Sequence, residues 1–433
     1  MLPPKAADGV LSLSVPLRFF LTAPAFALLS AVVIALAGPA VAASRWAPAA
    51  LAATHLMTLG FVTMTAAGAL LQILPVAAGA PVARARRVAG VTHAALTGGT
   101  LLLAWAFLGG GRLLASLAAA VLLVGIGAYV VAVARALARA PTATPTGMTQ
   151  GFALACLGVT ALMGSTLAAV PTPVAAVPRS TLVDIHMAWG FAGWIGLLVV
   201  GVAYQVVPMF GLSRPYPSLL HRSLAPVVVG ALVFMATTAP GGDTAAGHFF
   251  FYGLASAALL AGFGVFLLVT WRIQSLGRRR GDGATAAAWR LAMGALGASL
   301  LGAGAAVATD AIPDLPIALM AAVVFLFGFA FWLIAGMLYR IVPFLAWMDL
   351  QREPVHVRPL PSVRQLAPQG SCHAHVWAHA VALALLIAAV GRPVLAPAAG
   401  VSFGLSALWL GFNLLWSIRL YLRAKQGLSG GRG

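Results

Sequence analysis

GFVTMTAAGALLQILP, residues 60–75, is echoed by GWIGLLVVGVAYQVVP at 193–208 and by GFAFWLIAGMLYRIVP at 328–343. All three fit G-x7-G-x3-[QR]-x2-P: Gly60, Gly68, Gln72 and Pro75; Gly193, Gly201, Gln205 and Pro208; Gly328, Gly336, Arg340 and Pro343. Successive prolines lie 133 and 135 residues apart. Four fixed positions recurring at near-equal spacing within apolar runs indicate an internal repeat. Small residues let helix backbones approach in lipid, and a proline past the last turn stops a helix. The motif therefore reads as the packing face and the end of a membrane helix.

The rest of the chain fits that reading. Of 433 residues, 61% are hydrophobic and only 8% charged, against roughly a quarter charged in soluble domains. A span needs about 20 apolar residues. Runs of that kind lie near 15–40, 49–77, 88–109, 112–139, 150–173, 182–210, 222–240, 248–273, 287–309, 315–346, 375–391 and 395–422. The expected fold is an all-α membrane protein with twelve transmembrane helices in three pseudo-symmetric four-helix units: residues 1–140, 141–280 and 281–433. The first run is longer than the core of a secretory signal and reads as a helix, although Ala40, Ala42 and Ala43 look like a cleavage site.

The formal charge of +18 would suggest nucleic acid in a soluble chain, but here the bases separate apolar runs and face anionic lipid. The expected partner is the lipid bilayer, with a respiratory-chain or electron-transfer protein as a further one and no nucleic acid. With the N-terminus cytoplasmic, 22 of the 26 bases fall on the cytoplasmic side, leaving Arg45, Arg112, Arg179 and Arg392 outside. The positive-inside rule then places both termini in the cytoplasm, in what reads as a bacterial inner membrane. Cys156 and Cys372 form no CxxC motif, and there is no disulfide framework. The eight acids, Asp8, Asp184, Asp243, Asp282, Asp310, Asp314, Asp349 and Glu353, all fall at or beyond span ends. Pumps and proton-coupled carriers commonly place carboxylates in the membrane interior, so this distribution counts against both.

Twelve spans in three four-helix units, with histidine early in the second helix of two of them, resemble the catalytic subunit of the haem-copper oxidase superfamily, whose twelve helices form three arcs. More narrowly, LRFFLTAPAFALL at 17–29 and THLMTLGFVTMTAAGALLQILPVAAGAP at 54–81 resemble the NnrS family of haem- and copper-containing membrane proteins linked to nitric oxide response. The resemblance puts His55 where the oxidases carry a ligand to low-spin haem, and His186 in the helix that supplies a copper ligand. The third unit departs from that pattern: no histidine occurs from Ile317 to Trp347, and the seventh span has only His221 in place of a His-His pair. A complete oxygen-reducing centre is not encoded.

Histidine inside a span marks a functional candidate. His55 and His186 lie five and seven residues before the equivalent Gly60 and Gly193, so their depths differ by about 3 Å. They are the candidate ligands of haem b and/or copper, with Met57, Met64 and Met187 nearby as soft ligands or core filler. The alternative for both is hydrogen bonding across helices, for His186 with Asp184. On the cytoplasmic side, Cys372, His373, His375 and His379 open the eleventh span. His375 and His379, at i and i+4, share a helix face and are candidate metal ligands, or else interfacial residues. His93 and His221, like His379, stand at the start of the third helix of a unit. His248 reads as interfacial and His356 as solvated in a proline-rich loop. Tyr204 and Tyr339, each four residues before its motif proline, read as belt aromatics.

The leading functional reading is a membrane haem- and/or copper-binding protein of oxidase-like architecture, not a terminal oxidase, in nitric oxide response or respiratory redox chemistry. Competing with it are a copper, haem or small-solute transporter, a respiratory-enzyme assembly factor, and a metal-free structural subunit. The charge distribution makes one expectation directly checkable: a single reactive cysteine introduced as Arg280→Cys should react with impermeant maleimide only from the cytoplasmic side. Labelling from the periplasm would reverse the topology.

Overall fold

The computed structural model describes residues 12–169, 178–238, 245–277, 283–308, 316–352 and 359–429. The Arg278–Arg280 cluster, His356, and all the acids except Asp184 and Asp349 lie outside the described residues, and the side chain of His248 is not described either. The described residues are predominantly helical, with no strand among them. Among the described residues, eleven helices are long and apolar enough to cross a membrane. It is an integral membrane protein.

The helices are α1 (Ser14–Ala37), α2 (Pro48–Ala77), α3 (Ala85–Trp105), α4 (Gly111–Ala138), α5 (Pro145–Ala169), α6 (Arg179–Gly211), α7 (Ser218–Thr238), α8 (Ala245–Ser275), α9 (Ala284–Ala308), α10 (Ile317–Leu350), α11 (Gln369–Gly391) and α12 (Ala396–Ser429). One apolar run, Ala85–Ala138, is 54 residues long, far more than a single crossing needs. It is broken where Gly109 and Gly111 take φ of +126° and +79°, values that a side chain disfavours. Beyond the break α4 packs along α3, Leu122 lying against Gly99 and Ala95 against Gly125.

The chain divides into two compact units. One comprises Leu70–Arg280 and Leu296–Ala321, the other Val10–Ala69, Gly281–Ala295 and Ala322–Gly433. Within the first, the C-terminal end of α5 is finished by two arginines. Arg112 Nη2 donates to Ala169 O at 3.2 Å and Arg179 Nη2 to Leu167 O at 2.8 Å, satisfying carbonyls that a helix end leaves unpaired. Within the second, α1 packs closely on α12 because Gly400 has no side chain. A Cβ there would stand 2.5 Å from Ala35 N.

The repeated glycines have one packing role in all three copies. Gly60 and Gly68 of α2 receive Phe26 and Phe19 of α1, Gly193 and Gly201 of α6 receive Cys156 and Thr149 of α5 with Gln150 also against Gly201, and Gly328 and Gly336 of α10 receive Ala295 and Ala288 of α9 with Leu383 of α11 also against Gly328. In each case the receiving glycines are eight apart and the preceding helix brings to them residues seven apart, along antiparallel helices. Polar side chains follow the same scheme. Ser30 Oγ donates to Ala53 O at 3.1 Å and Ser299 Oγ to Ala321 O at 2.9 Å, each acceptor standing seven residues before the first motif glycine.

The three motif helices also share a local irregularity. Leu56–Thr63, Trp189–Gly196 and Val324–Ala330 are π-helical, each beginning four residues before its motif glycine. Such widened turns are rare and concentrate at functional sites. The prolines correct the sequence reading: Pro75, Pro208 and Pro343 lie inside their helices. A membrane helix tolerates the lost backbone hydrogen bond when neighbouring groups satisfy the carbonyl.

These contacts separate tolerant from intolerant glycines. Gly336→Val would press on Ala288 Cβ, 2.6 Å from even a bare Cβ, whereas Gly98 has nothing within 4 Å of that position. Gly336→Val should lower stability by about 1–3 kcal/mol from overpacking. Gly98→Val should stay within about 1 kcal/mol, the cost of a β-branched residue in a helix being small. Thermal unfolding in detergent, followed by tryptophan fluorescence, compares them.

Candidate functional site

The most developed polar site lies in the second unit, where α10, α11 and α12 meet. His375 and His379 are 0% exposed. Counting from Gln369, they stand about 9 Å and 15 Å along α11. They are thus core residues, which corrects the expectation that they sit at the membrane interface. Their i, i+4 spacing puts both on the face toward α10 and α12, with ring centroids 6.3 Å apart.

Every ring nitrogen has a partner. His379 Nε2 lies 2.8 Å from Phe327 O, and its Nδ1 lies 2.9 Å from Ser406 Oγ. His375 Nε2 is 3.0 Å from both the carbonyl and the hydroxyl oxygen of Ser406, and its Nδ1 is 2.7 Å from Tyr339 Oη. A backbone carbonyl only accepts, so His379 carries its hydrogen on Nε2 and accepts at Nδ1 from the Ser406 hydroxyl. Having given its one hydrogen away, Ser406 can only accept from His375 Nε2–H. His375 Nδ1 then accepts from Tyr339 O–H. Tyr339 in turn receives Asn413 Nδ2–H at 3.0 Å, Asn413 Oδ1 receives Ser371 Oγ–H at 2.7 Å, and Ser371 receives Trp409 Nε1–H at 2.8 Å. The result is one directed chain of hydrogen bonds from Trp409 to Phe327 O, through two neutral imidazoles in the same tautomer.

The surroundings are aromatic. Phe331 stacks on His379 with centroids 4.1 Å apart at 23°, and Trp332 meets the same ring edge-on at 5.3 Å. Phe61 stacks on Phe331 at 5.1 Å. The acceptor at the end of the chain, Phe327 O, belongs to the π-helical turn of α10. At the equivalent place in the other two copies, Leu59 O and Ala192 O accept backbone N–H groups five residues on, from Met64 and Leu197. A buried carbonyl needs a partner, and in the third copy the imidazole is one.

This arrangement bears on the metal-ligand reading of His375 and His379. A ligand nitrogen must offer a lone pair, and here the two lone pairs accept hydrogens from Ser406 and Tyr339 while the two N–H groups face oxygens. As arranged, the pair serves hydrogen bonding. No group of three or more His, Cys, Asp or Glu side chains suited to a metal occurs among the described residues.

His55 and His186 fall in different compact units, and each has its own setting. His55, half-buried, ends the α-helical start of α2 immediately before the π-helical turn. Its Nδ1 is 2.8 Å from Leu51 O; Nδ1 is therefore the donor and Nε2 bears the lone pair. Metal-bound histidines characteristically donate their other ring N–H to a carbonyl or carboxylate. His186, three residues before the π-helical turn of α6, lies against Gly164 of α5, where a Cβ would stand 3.0 Å from its Cε1. His93 is half-buried on α3.

His221 packs edge-on against Tyr204 with centroids 4.4 Å apart. Tyr204 Oη donates to Leu220 O at 3.2 Å. Tyr204 and Tyr339 are 7% and 6% exposed, so both are core residues and not belt aromatics. Each pairs with a histidine near the start of the following helix, a likeness between the second and third copies. The first copy has Leu71 at that position. Burial also pushes the Tyr216 phenol well above its ordinary pKa and so keeps it protonated; it lies between α6 and α7, 2.9 Å from Thr270 Oγ1.

Sequence reasoning missed Ser406, Asn413, Ser371 and Trp409. The signal was present in α12, whose Ser406, Asn413 and Ser417 recur at intervals of seven and four and so mark a polar stripe on one helix face. Compared with protein-family models and with curated proteins, the chain gives no match.

Ser406 is the joint of the site. Ser406→Ala removes the donor to His379 Nδ1 and the hydroxyl acceptor of His375, and leaving buried polar atoms unsatisfied should cost about 1–3 kcal/mol. Ser406→Thr retains the hydroxyl and should recover most of the loss. Chemical denaturation in mixed micelles would measure both.

Proposed function

We propose that this protein binds haem b and/or copper through His55, in a twelve-helix arrangement of three four-helix units similar to that of the haem-copper oxidase superfamily. It works in nitric oxide response or respiratory redox chemistry, in the manner of the NnrS family, and is not a terminal oxidase. Its site is the bacterial inner membrane, with both termini cytoplasmic.

The observation that carries this reading is the Nδ1–H···O=C hydrogen bond from His55 to Leu51. It holds the ring in the tautomer a metal ligand adopts and sets it beside the π-helical turn of α2. His186, two residues further from its motif glycine in the second copy, is the second proposed ligand. Haem or copper there would supply one-electron exchange and a position for a small ligand. The chain's own contribution is orientation, by the Leu51 carbonyl for His55 and by the Gly164 notch for His186. The three-unit arrangement is supported by the glycine contacts and π-helical turns common to the three copies, and by the serine-to-carbonyl bonds of the first and third. The twelve-crossing count is supported by the packing of α4 along α3.

A transporter would use the outer and inner histidines as entry and exit sites. The engagement of all four nitrogens of His375 and His379 weighs against the inner one. Protein produced with haem and copper supplied should therefore show a Soret band or stoichiometric copper. His55→Ala should lose most of it, since a site with few protein ligands does not tolerate losing one, and His93→Ala should retain it. A colourless, metal-free wild-type protein would favour a structural subunit and overturn the reading.

A further inference from the structure

The chain from Tyr339 to His379 contains a phenol, a hydroxyl and two imidazoles, all buried and in register for proton movement. It contains no carboxylate and no cation. A buried phenol that loses an electron must also lose its proton, and Tyr339 has an acceptor for it, the His375 Nδ1 lone pair at 2.7 Å. Tyr204 donates to a backbone carbonyl, which cannot hold a proton. Tyr421 faces Asp349 at 2.6 Å, but that carboxylate is already bound by Lys425 at 3.0 Å, near the surface.

We propose that Tyr339 is a redox-active tyrosine whose oxidation is coupled to proton transfer along Tyr339, His375, Ser406 and His379. One electron passes from the phenol to a one-electron oxidant, a high-potential metal ion or an organic radical cation. The Tyr339 O–H bond breaks and an N–H bond forms at His375 Nδ1. His375 Nε2 gives its hydrogen to Ser406 Oγ as the Ser406 hydroxyl hydrogen passes to His379 Nδ1. The products are a neutral phenoxyl at Tyr339, an imidazolium at His379 and the reduced oxidant. When an electron returns, the proton retraces its path.

The site favours both products. Asn413 Nδ2–H, 3.0 Å from Tyr339 Oη, continues to donate to the phenoxyl oxygen. The His379 imidazolium keeps its Nε2–H on Phe327 O and lies over the face of Phe331, a cation–π arrangement. Besides the imidazoles, the titratable group near Tyr339 is Cys372, which is buried at the start of α11. Because the proton never leaves the protein, the Tyr339 potential should not vary with pH.

The inference does not depend on the His55 site, because the test supplies its own oxidant. The full chain in lipid nanodiscs is oxidised by a flash-generated ruthenium(III) polypyridyl complex and followed by electron paramagnetic resonance. The expected result is a neutral tyrosyl signal that is lost in Tyr339→Phe, kept in Tyr204→Phe and absent in His375→Gln. In Ser406→Ala the radical should still form, but with a lifetime shorter by about tenfold because the proton stops at His375. Should the His375 variant not fold, square-wave voltammetry of the wild type decides, a potential independent of pH being the expected outcome. Three results would overturn the proposal: no tyrosyl signal in the wild type, a signal that survives Tyr339→Phe, or a potential that falls as pH rises.

Discussion

Lipid is as apolar as the side chains of the helices it surrounds, so helix contact in this protein depends on how closely backbones can approach. That constraint explains why six glycines occupy the same places in α2, α6 and α10 and why each meets a residue of the preceding long helix. A side chain at Gly60, Gly68, Gly193 or Gly336 would stand closer than 3.0 Å to the neighbouring helix. The neighbours vary, from Phe19 and Phe26 in the first copy to Ala288 and Ala295 in the third. The absent Cβ is constant and the filling residue adapts to it.

Close approach brings polar groups into a medium with no water to satisfy them, and the protein meets this with side chains aimed at backbone carbonyls of the next helix. Ser30, Gln150, Thr285 and Ser299 all donate in this way. The chain through Tyr339, His375, Ser406 and His379 is the most extended case. It joins three helices through partners that each have one geometric option. A fully satisfied network of this kind holds its members in a single arrangement, so one structure serves both to lock α10, α11 and α12 together and to provide the connected hydrogens that proton movement needs.

The three motif helices differ around their π-helical turns. The first places His55 just before the turn and the second places His186 three residues before it, while the third has no histidine on its own helix and receives His379 from α11 instead. Each turn is thus associated with an imidazole, but by a different route. The same turn thereby stands beside a histidine of its own helix in two copies and accepts from a histidine of the next helix in the third.

Much of this was legible in the amino-acid sequence. Apolar runs separated by bases imply membrane helices because charged side chains are costly in hydrocarbon, and the motif glycines mark the packing face because their spacing follows the helix period. The position of His55 early in the second span was equally readable. The sequence did not reveal that the motif prolines lie within helices, since whether a proline ends a helix depends on neighbours that satisfy the carbonyl it frees. Nor did it show that His375 and His379 are buried. Their place near the start of an apolar run suits an interface equally well, and only the approach of α12, bringing Ser406 and Asn413 from more than 25 residues away in the chain, makes them core. Local pattern determines which segments are helices and which faces are small. Partners for buried polar atoms come from distant segments, and so tertiary structure alone decided that the lone pairs of His375 and His379 are taken up by Tyr339 and Ser406.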